Sequence, residues 1–270
     1  MPQSRLRAVN SIGMLRAWIS AVRRHGHSVS SSRPDTAVLL LHGLTGTPVD
    51  MHYMRDALVA DGYTVSVPLL PGRGTRPSDM DSLCWEDWMS SALAAYDELA
   101  RDHDQVVVGG LSAGATMTLD IALRRKPSAV LLCATALGMG NPIAYLAPYV
   151  WRVIRQVPSP ASDLVDLNAG AKCYDPAPVR AVAELIHGIG LVRRRLGEIR
   201  CPAFVAHAVS DRLVPVQYAR DLAARLGGPV TTLYLEETGH AITVDARRRE
   251  LAEASLAFLR EAVAVPQSAA

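Results

Sequence analysis

Short apolar runs recur along this chain, and stretches with apolar residues at helical spacing separate most of them. The runs are "AVLLLHG" (37–43), "YTVSVPLL" (63–70), "QVVVGG" (105–110), "AVLLCATA" (129–136), "PAFVAHAVSD" (202–211) and "VTTLYLEET" (230–238). Runs this short and continuous fit strands buried on both faces. Between them, 48–61, 84–102, 113–126, 216–227 and 245–263 predict helices. Pro48 opens the first of these before Gly62, Pro127 stops the third, and Gly227-Gly228 closes the fourth. Alternation of this kind constrains the fold to an α/β class: a mainly parallel, doubly wound sheet with helices on both faces.

The alternation lapses over 138–198. "IAYLAPYVWRVI" is apolar, "PVRAVAELIHGIGLVRRRL" predicts an amphipathic helix kinked near Gly188 or Gly190, and 156–177 is loop-like. The expected organisation is a core of 36–137 and 199–265 with a helical lid insertion at 138–198. A basic extension (1–35) and a tail (266–270) flank it. An insertion at this point would cover the C-terminal ends of the strands. The extension carries six arginines before residue 35 and no acid, with Ile12, Leu15, Ile19 and Val22 at helical spacing. Residues 12–23 suit a helix packed on the core, peripheral contact with a membrane surface or partner, or a targeting peptide.

Composition narrows the function classes. Apolar residues make up 49% and charged residues 20%, against a disordered chain. A net charge of +2 with few aromatics argues against a nucleic-acid partner. Cys84, Cys133, Cys173 and Cys201 form neither a CxxC pair nor a disulfide framework, so a cytoplasmic location is expected. No apolar run approaches ~18 residues, so no transmembrane segment is expected. The histidines lack metal-ligand spacing and no nucleotide-binding motif occurs, so neither metal nor cofactor is expected.

The chemistry concentrates at Gly110-Leu-Ser112-Ala-Gly114, a G-x-S-x-G between a predicted strand and a predicted helix. That setting suits a nucleophile elbow, in which glycines make room for a strained turn that exposes the serine oxygen. A serine hydroxyl needs a base. Of the eight histidines only His187, His207 and His240 follow Ser112. His187 falls in the lid helix and His207 in mid-strand, where a hydrogen-bonded sheet residue is expected. His240, in the loop "EETGHAIT", is the candidate base. Asp211, ending "AVSD" at the same sheet edge, is the candidate acid, with Glu236 and Glu237 as competitors too near His240 in sequence. Backbone N–H groups of Ala113 and of Leu44, in "HGLTGTP", are the candidate oxyanion donors, with His42 holding that loop.

Together "LLLHGLTGTP", "GGLSAG", "VSDRLVP" and "TGHAITVD" resemble the α/β-hydrolase superfamily. More narrowly they are similar to bacterial carboxylesterases and monoacylglycerol lipases of the thermostable esterase type, over roughly 36–265. "PGRGTRP" fits as well, with Arg73 where relatives often carry histidine. The resemblance implies the same triad of Ser112, Asp211 and His240, with Leu44 and Ala113 as donors. The expected reaction is cleavage of a small acyl ester or monoacylglycerol through an acyl-enzyme. The apolar insertion, with Tyr145, Tyr149 and Trp151, is the expected site of substrate contact. Thioesterase or acyltransferase chemistry fits the same residues, and a non-catalytic ligand-binding protein on this fold is the reading from another class.

Overall fold

The computed structural model describes residues 35–158, 163–166 and 174–263. The expected contact through residues 12–23, Cys173 and the tail lie outside them.

In chain order, β1 (Thr36–Leu41) leads through a 3-10 turn at Pro48–Met51 into α1 (His52–Ala60) and β2 (Thr64–Ser66). Then come α2 (Trp85–Asp102), β3 (Gln105–Leu111), α3 (Ala113–Arg125) and β4 (Ala129–Cys133). The insertion contributes a 3-10 turn at Pro142–Leu146, the single turn α4 (Ala147–Val150), a pair of two-residue strands β5 (Gln156–Val157) and β6 (Ala177–Pro178), and α5 (Val179–Arg193). The core resumes with β7 (Ala203–Ala208), α6 (Gln217–Arg225), β8 (Val230–Leu235) and α7 (Arg248–Ala262).

The six predicted strands form one sheet in the order β2-β1-β3-β4-β7-β8, with every pairing parallel. Period-2 alternation divides each strand between two apolar layers. Val38, Leu40, Val107 and Phe204 join Met54 and Leu58 of α1 and Leu251, Phe258 and Leu259 of α7. Leu39, Leu41 and Val108 join Trp85, Trp88 and Met89 of α2 and Met117 and Ile121 of α3 on the other face. Val130, Leu132 and Val205 continue that second layer against Leu119 of α3 and Leu222 of α6.

Strand order reverses between β1 and β3: the chain first steps outward from β1 to β2, then returns to the other side of β1. In open parallel sheets a crevice opens at such a point, beyond the carboxyl ends of the strands. The loop after β1 carries His42 and Leu44, and the turn after β3 carries Ser112.

Several predicted elements are shorter than expected, for local reasons. The run 63–70 pairs only over Thr64–Ser66. Beyond it Pro68 has no N–H to give, and the Leu70 N–H goes instead to His42 Nε2 at 3.2 Å. The runs 129–136 and 230–238 end early, at left-handed Ala134 (φ 46) and Glu237 (φ 54) respectively. The helix α5 runs on through Gly188 and Gly190, and Gly188 admits the Trp85 ring, which a Cβ there would overlap. The β5–β6 pair has no signal in the sequence at all. Among the described residues, no helix is long and apolar enough to cross a membrane.

Candidate active site

Ser112 follows β3 directly and precedes the first residue of α3. Its backbone has φ 56 and ψ −115, outside the ordinary basins for a residue with a Cβ. Flanking backbone holds it there. Its N–H donates to the Cys133 carbonyl at 2.9 Å. Its carbonyl accepts from the Thr116 N–H at 3.1 Å, the Ala136 N–H at 3.3 Å and the Thr116 hydroxyl at 3.3 Å. Both flanking glycines are sterically required. A Cβ on Gly110 would collide with the Gly114 carbonyl group, and one on Gly114 with the carbonyl oxygens of Leu41 and His42.

Three expected residues meet at this turn. Ser112 Oγ lies 2.8 Å from His240 Nε2, and His240 Nδ1 lies 2.7 Å from Asp211 Oδ2. The Asp211 carboxylate is buried, and its Oδ1 accepts from the N–H groups of Leu213 (2.9 Å) and Val214 (2.8 Å). Burial opposes its charge. Donors from His207 and His240 and the Val214 N–H outweigh that and hold its pKa well below the usual carboxylate range. The rival acid Glu237 is exposed and pairs with Arg247. His187 is exposed on α5.

The loop after β1 is built around two buried groups. His42 is fully buried and accepts from Leu70 N–H at Nε2, which leaves the proton on Nδ1 to bond the Gly43 carbonyl at 3.0 Å. Burial, more than any other influence, lowers its pKa to about 4, so it is neutral at pH 7. The expected loop-holding role of His42 is what these bonds provide. Arg73 is the second group. It is 2% exposed, donates through Nε to the Leu44 carbonyl at 3.0 Å and through Nη1 to the Pro71 carbonyl at 2.8 Å, and lies 4.1 Å over the Trp88 ring. No carboxylate among the described residues pairs with it, and burial pushes its pKa down to about 9. No described group accepts from the N–H of Leu44 or of Ala113, the latter one of the first N–H groups of α3, which lack intrahelical partners.

Sequence reasoning missed the clamp on the His240 loop. Asp245 is fully buried and accepts from Gly239 N–H, Thr238 Oγ1, Val165 N–H and Asp166 N–H. It thereby ties the His240 loop to the insertion. The Asp163 carbonyl accepts the His240 N–H at 2.8 Å, its carboxylate accepts the Arg212 N–H at 2.9 Å, and Arg248 pairs with Asp166 at 2.9 Å. A Cβ on Gly239 would collide with the Asp163 carbonyl, which explains the glycine beside His240. Asp245 sits in the quoted "TGHAITVD", but nothing in residue spacing distinguishes a buried clamp from a helix-initiating acid.

The three aromatics of the insertion are tied mainly to their own surroundings. Tyr145 Oη accepts the Met139 N–H at 3.1 Å and bonds Tyr218. Tyr149 is 84% exposed. Trp151 lies between guanidiniums, Arg180 at 4.2 Å and Arg152 at 4.4 Å from its ring centroid. Tyr174 joins the returning end of the insertion to the core, through its N–H to the Thr45 carbonyl and its hydroxyl to the Gly72 carbonyl.

Comparison with known proteins agrees with this architecture. The model of the alpha/beta hydrolase family matches residues 38–254, and the chain belongs to that family. It is 29% identical over 230 residues to the thermostable monoacylglycerol lipase of Bacillus sp. (strain H-257), covering 82% of this chain and 89% of the relative. It is 25% identical over 218 residues to a carboxylesterase of Bacillus subtilis (strain 168), covering 79% and 88%. A solved structure from work on LipS and LipT, two metagenome-derived lipolytic enzymes, superposes with a TM-score of 0.81 at 28% identity, covering 86% of this chain and 96% of that one.

Proposed function

We propose that this chain is a serine hydrolase that cleaves carboxylic esters, with short- to medium-chain acyl esters or monoacylglycerols as the substrate class. The observation that carries the reading is the unbroken line Ser112 Oγ–His240–Asp211, at 2.8 and 2.7 Å, on a strained turn, and no described group accepts from the N–H of Leu44 or Ala113. The lipolytic relatives support the ester as the bond cleaved.

In this reading Ser112 Oγ attacks the ester carbonyl carbon as its proton passes to His240 Nε2. The carbonyl oxygen becomes an oxyanion and accepts from the N–H groups of Leu44 and Ala113. Asp211 holds the imidazole by Nδ1 and stabilises its charged form. His240 then gives its proton to the departing alcohol oxygen, leaving an acyl-Ser112 ester. Water then attacks that ester as its proton passes to His240, and the acyl–Oγ bond breaks as His240 returns the proton to Ser112 Oγ, releasing the acid. No cofactor is needed for any step. The insertion 138–198 serves as the lid, and of its aromatics the exposed Tyr149 is the one free to meet the substrate, with Tyr145 and Trp151 holding the surrounding surface. The free Cys84, Cys133 and Cys201 fit a reducing, cytoplasmic location.

A fluorophosphonate probe should label Ser112, and Ser112→Ala should lose both labelling and hydrolysis of p-nitrophenyl esters while keeping its circular dichroism. Wild-type turnover by that variant would remove the mechanism. A matched panel of esters, thioesters and amides of graded acyl length then tests the bond and chain length. Faster turnover of the thioesters would replace the esterase reading by a thioesterase one on the same residues.

A further inference from the structure

Asp211 Oδ2 serves two histidines. His240 Nδ1 lies 2.7 Å from it, and His207 Nε2 lies 3.1 Å from it. His207 is on β7 and is fully buried. Its Nε2 also lies 2.8 Å from the Val214 carbonyl oxygen, while its Nδ1 has no hydrogen-bond partner. Both neighbours of Nε2 accept only, so the tautomer is the one with the proton on Nε2. That N–H bonds the Val214 carbonyl, and Asp211 Oδ2 lies 3.1 Å from the same nitrogen. Besides His240, His207 is the described histidine whose ring nitrogen lies within ion-pair distance of Asp211.

We propose that His207 is a positioning residue for the candidate triad: its Nε2–H turns the Asp211 carboxylate toward His240 and draws off part of its charge. This inference rests on the triad reading above. The chemistry is that of a shared acceptor. A donor on Oδ2 makes the carboxylate less basic, so it stabilises the His240 imidazolium less than an unshared carboxylate would. Removing that donor would strengthen the hold of Asp211 on a protonated imidazole. The bonds from Leu213 and Val214 N–H act on the other oxygen, Oδ1, and cannot substitute for it.

Other charged groups bear on His240. From the insertion, Asp163 presents its carbonyl to the His240 N–H, and its carboxylate is paired with Arg212. Asp245 grips Gly239, and Glu237 pairs with Arg247. None of these touches the imidazole nitrogens, which face Ser112 and Asp211. Removing the His207 donor leaves all of them in place.

The test compares His207→Leu, which removes the donor, with His207→Gln, whose amide N–H has a similar reach. His207→Asn, one bond too short to reach Asp211, replaces the leucine variant if that one does not fold. The readouts are the acid limb of kcat/KM for p-nitrophenyl ester hydrolysis and the NMR titration of the His240 ring. The leucine or asparagine variant should move both midpoints up by roughly 0.5–1 pH unit, the size expected for one hydrogen bond to the carboxylate. The glutamine variant should stay at the wild-type midpoint. Midpoints unchanged in every variant, even with a lower kcat, overturn the proposal, as does a glutamine shift equal to the leucine one. The NMR titration needs no turnover, so failure of the triad reading, seen as an active Ser112→Ala variant, is distinguishable from failure of this one.

Discussion

Replacing Asp245 by asparagine isolates the clamp that joins the His240 loop to the insertion. In the wild type, Oδ1 takes the N–H groups of Asp166 (2.7 Å) and Val165 (3.0 Å), and Oδ2 takes Gly239 N–H and the Thr238 hydroxyl (3.1 Å). Asparagine keeps one acceptor and turns the other into an NH2 group. The two orientations are unequal. Facing the NH2 toward Gly239 leaves that buried N–H with no acceptor, although the Thr238 hydroxyl can rotate to accept. Facing it toward Asp166 frees an N–H on a half-buried residue that can reach water, so this orientation wins.

The Val165 N–H also lies 3.1 Å from Oδ2 and keeps that acceptor, so the loss is the one charge-assisted bond from Asp166, worth ~1.5–3 kcal/mol, plus the weakening of the remaining bonds as the acceptor becomes neutral. We expect about 2–4 kcal/mol, which for a domain of this size lowers Tm by roughly 5–15 °C. Urea denaturation at pH 7 and thermal scans measure it. The pH dependence has a defined sign. Burial raises the Asp245 pKa, but the N–H groups of Asp166, Gly239 and Val165 outweigh it, and the net shift is downward. Stability from a depressed carboxylate is complete above its unfolded pKa, near ~3.9, and is lost as pH falls through the folded value. The gap between wild type and Asp245→Asn should therefore be full at pH 7 and shrink below about pH 4. A variant with wild-type Tm at pH 7, or a gap that widens in acid, would refute the clamp.

Two further substitutions probe the loop after β1 and the turn that it meets. Gly114→Ala should gain ~1 kcal/mol of helix propensity, yet its Cβ meets the carbonyl oxygens of Leu41 and His42, and overpacking against backbone costs about 1–3 kcal/mol or more. We expect a lower urea midpoint together with a lower kcat; a variant at least as stable as wild type would contradict the steric account. Arg73→Lys keeps the charge but loses the fork that holds the Leu44 and Pro71 carbonyls. A misaimed rather than absent oxyanion donor should lower kcat roughly tenfold, below the ~100-fold or more of a full donor loss. Unchanged kcat on a p-nitrophenyl ester would detach Arg73 from the site.

Much of the architecture was legible because it is written in local periodicity. The six apolar runs became six parallel strands, and Ser112, Asp211 and His240 each stand just beyond a strand end, where chain order and turn chemistry had put them. The misses are also local in origin. The run 63–70 reads as an eight-residue strand by hydrophobicity, but its later N–H groups are absent or claimed by His42. The reason for Gly188 in α5, the Trp85 ring packed against it, is invisible to periodicity. His207 was read as a sheet histidine, which it is. Its 3.1 Å approach to Asp211 has only strand parity as a signal, since 207 and 211 share a face if the strand continues.

The α/β alternation, the glycines around Ser112 and the turn settings of Asp211 and His240 are readable along the chain, because each depends on neighbours within a few positions. Which groups surround them depends on how distant segments fold together: Asp245 across the His240 loop, Arg73 on the Leu44 carbonyl, and His207 beside Asp211. Those roles depend on hydrogen bonds between loops that meet at the carboxyl edge of the sheet. Residue spacing carries no trace of them, because a buried donor or acceptor is defined by what folds against it.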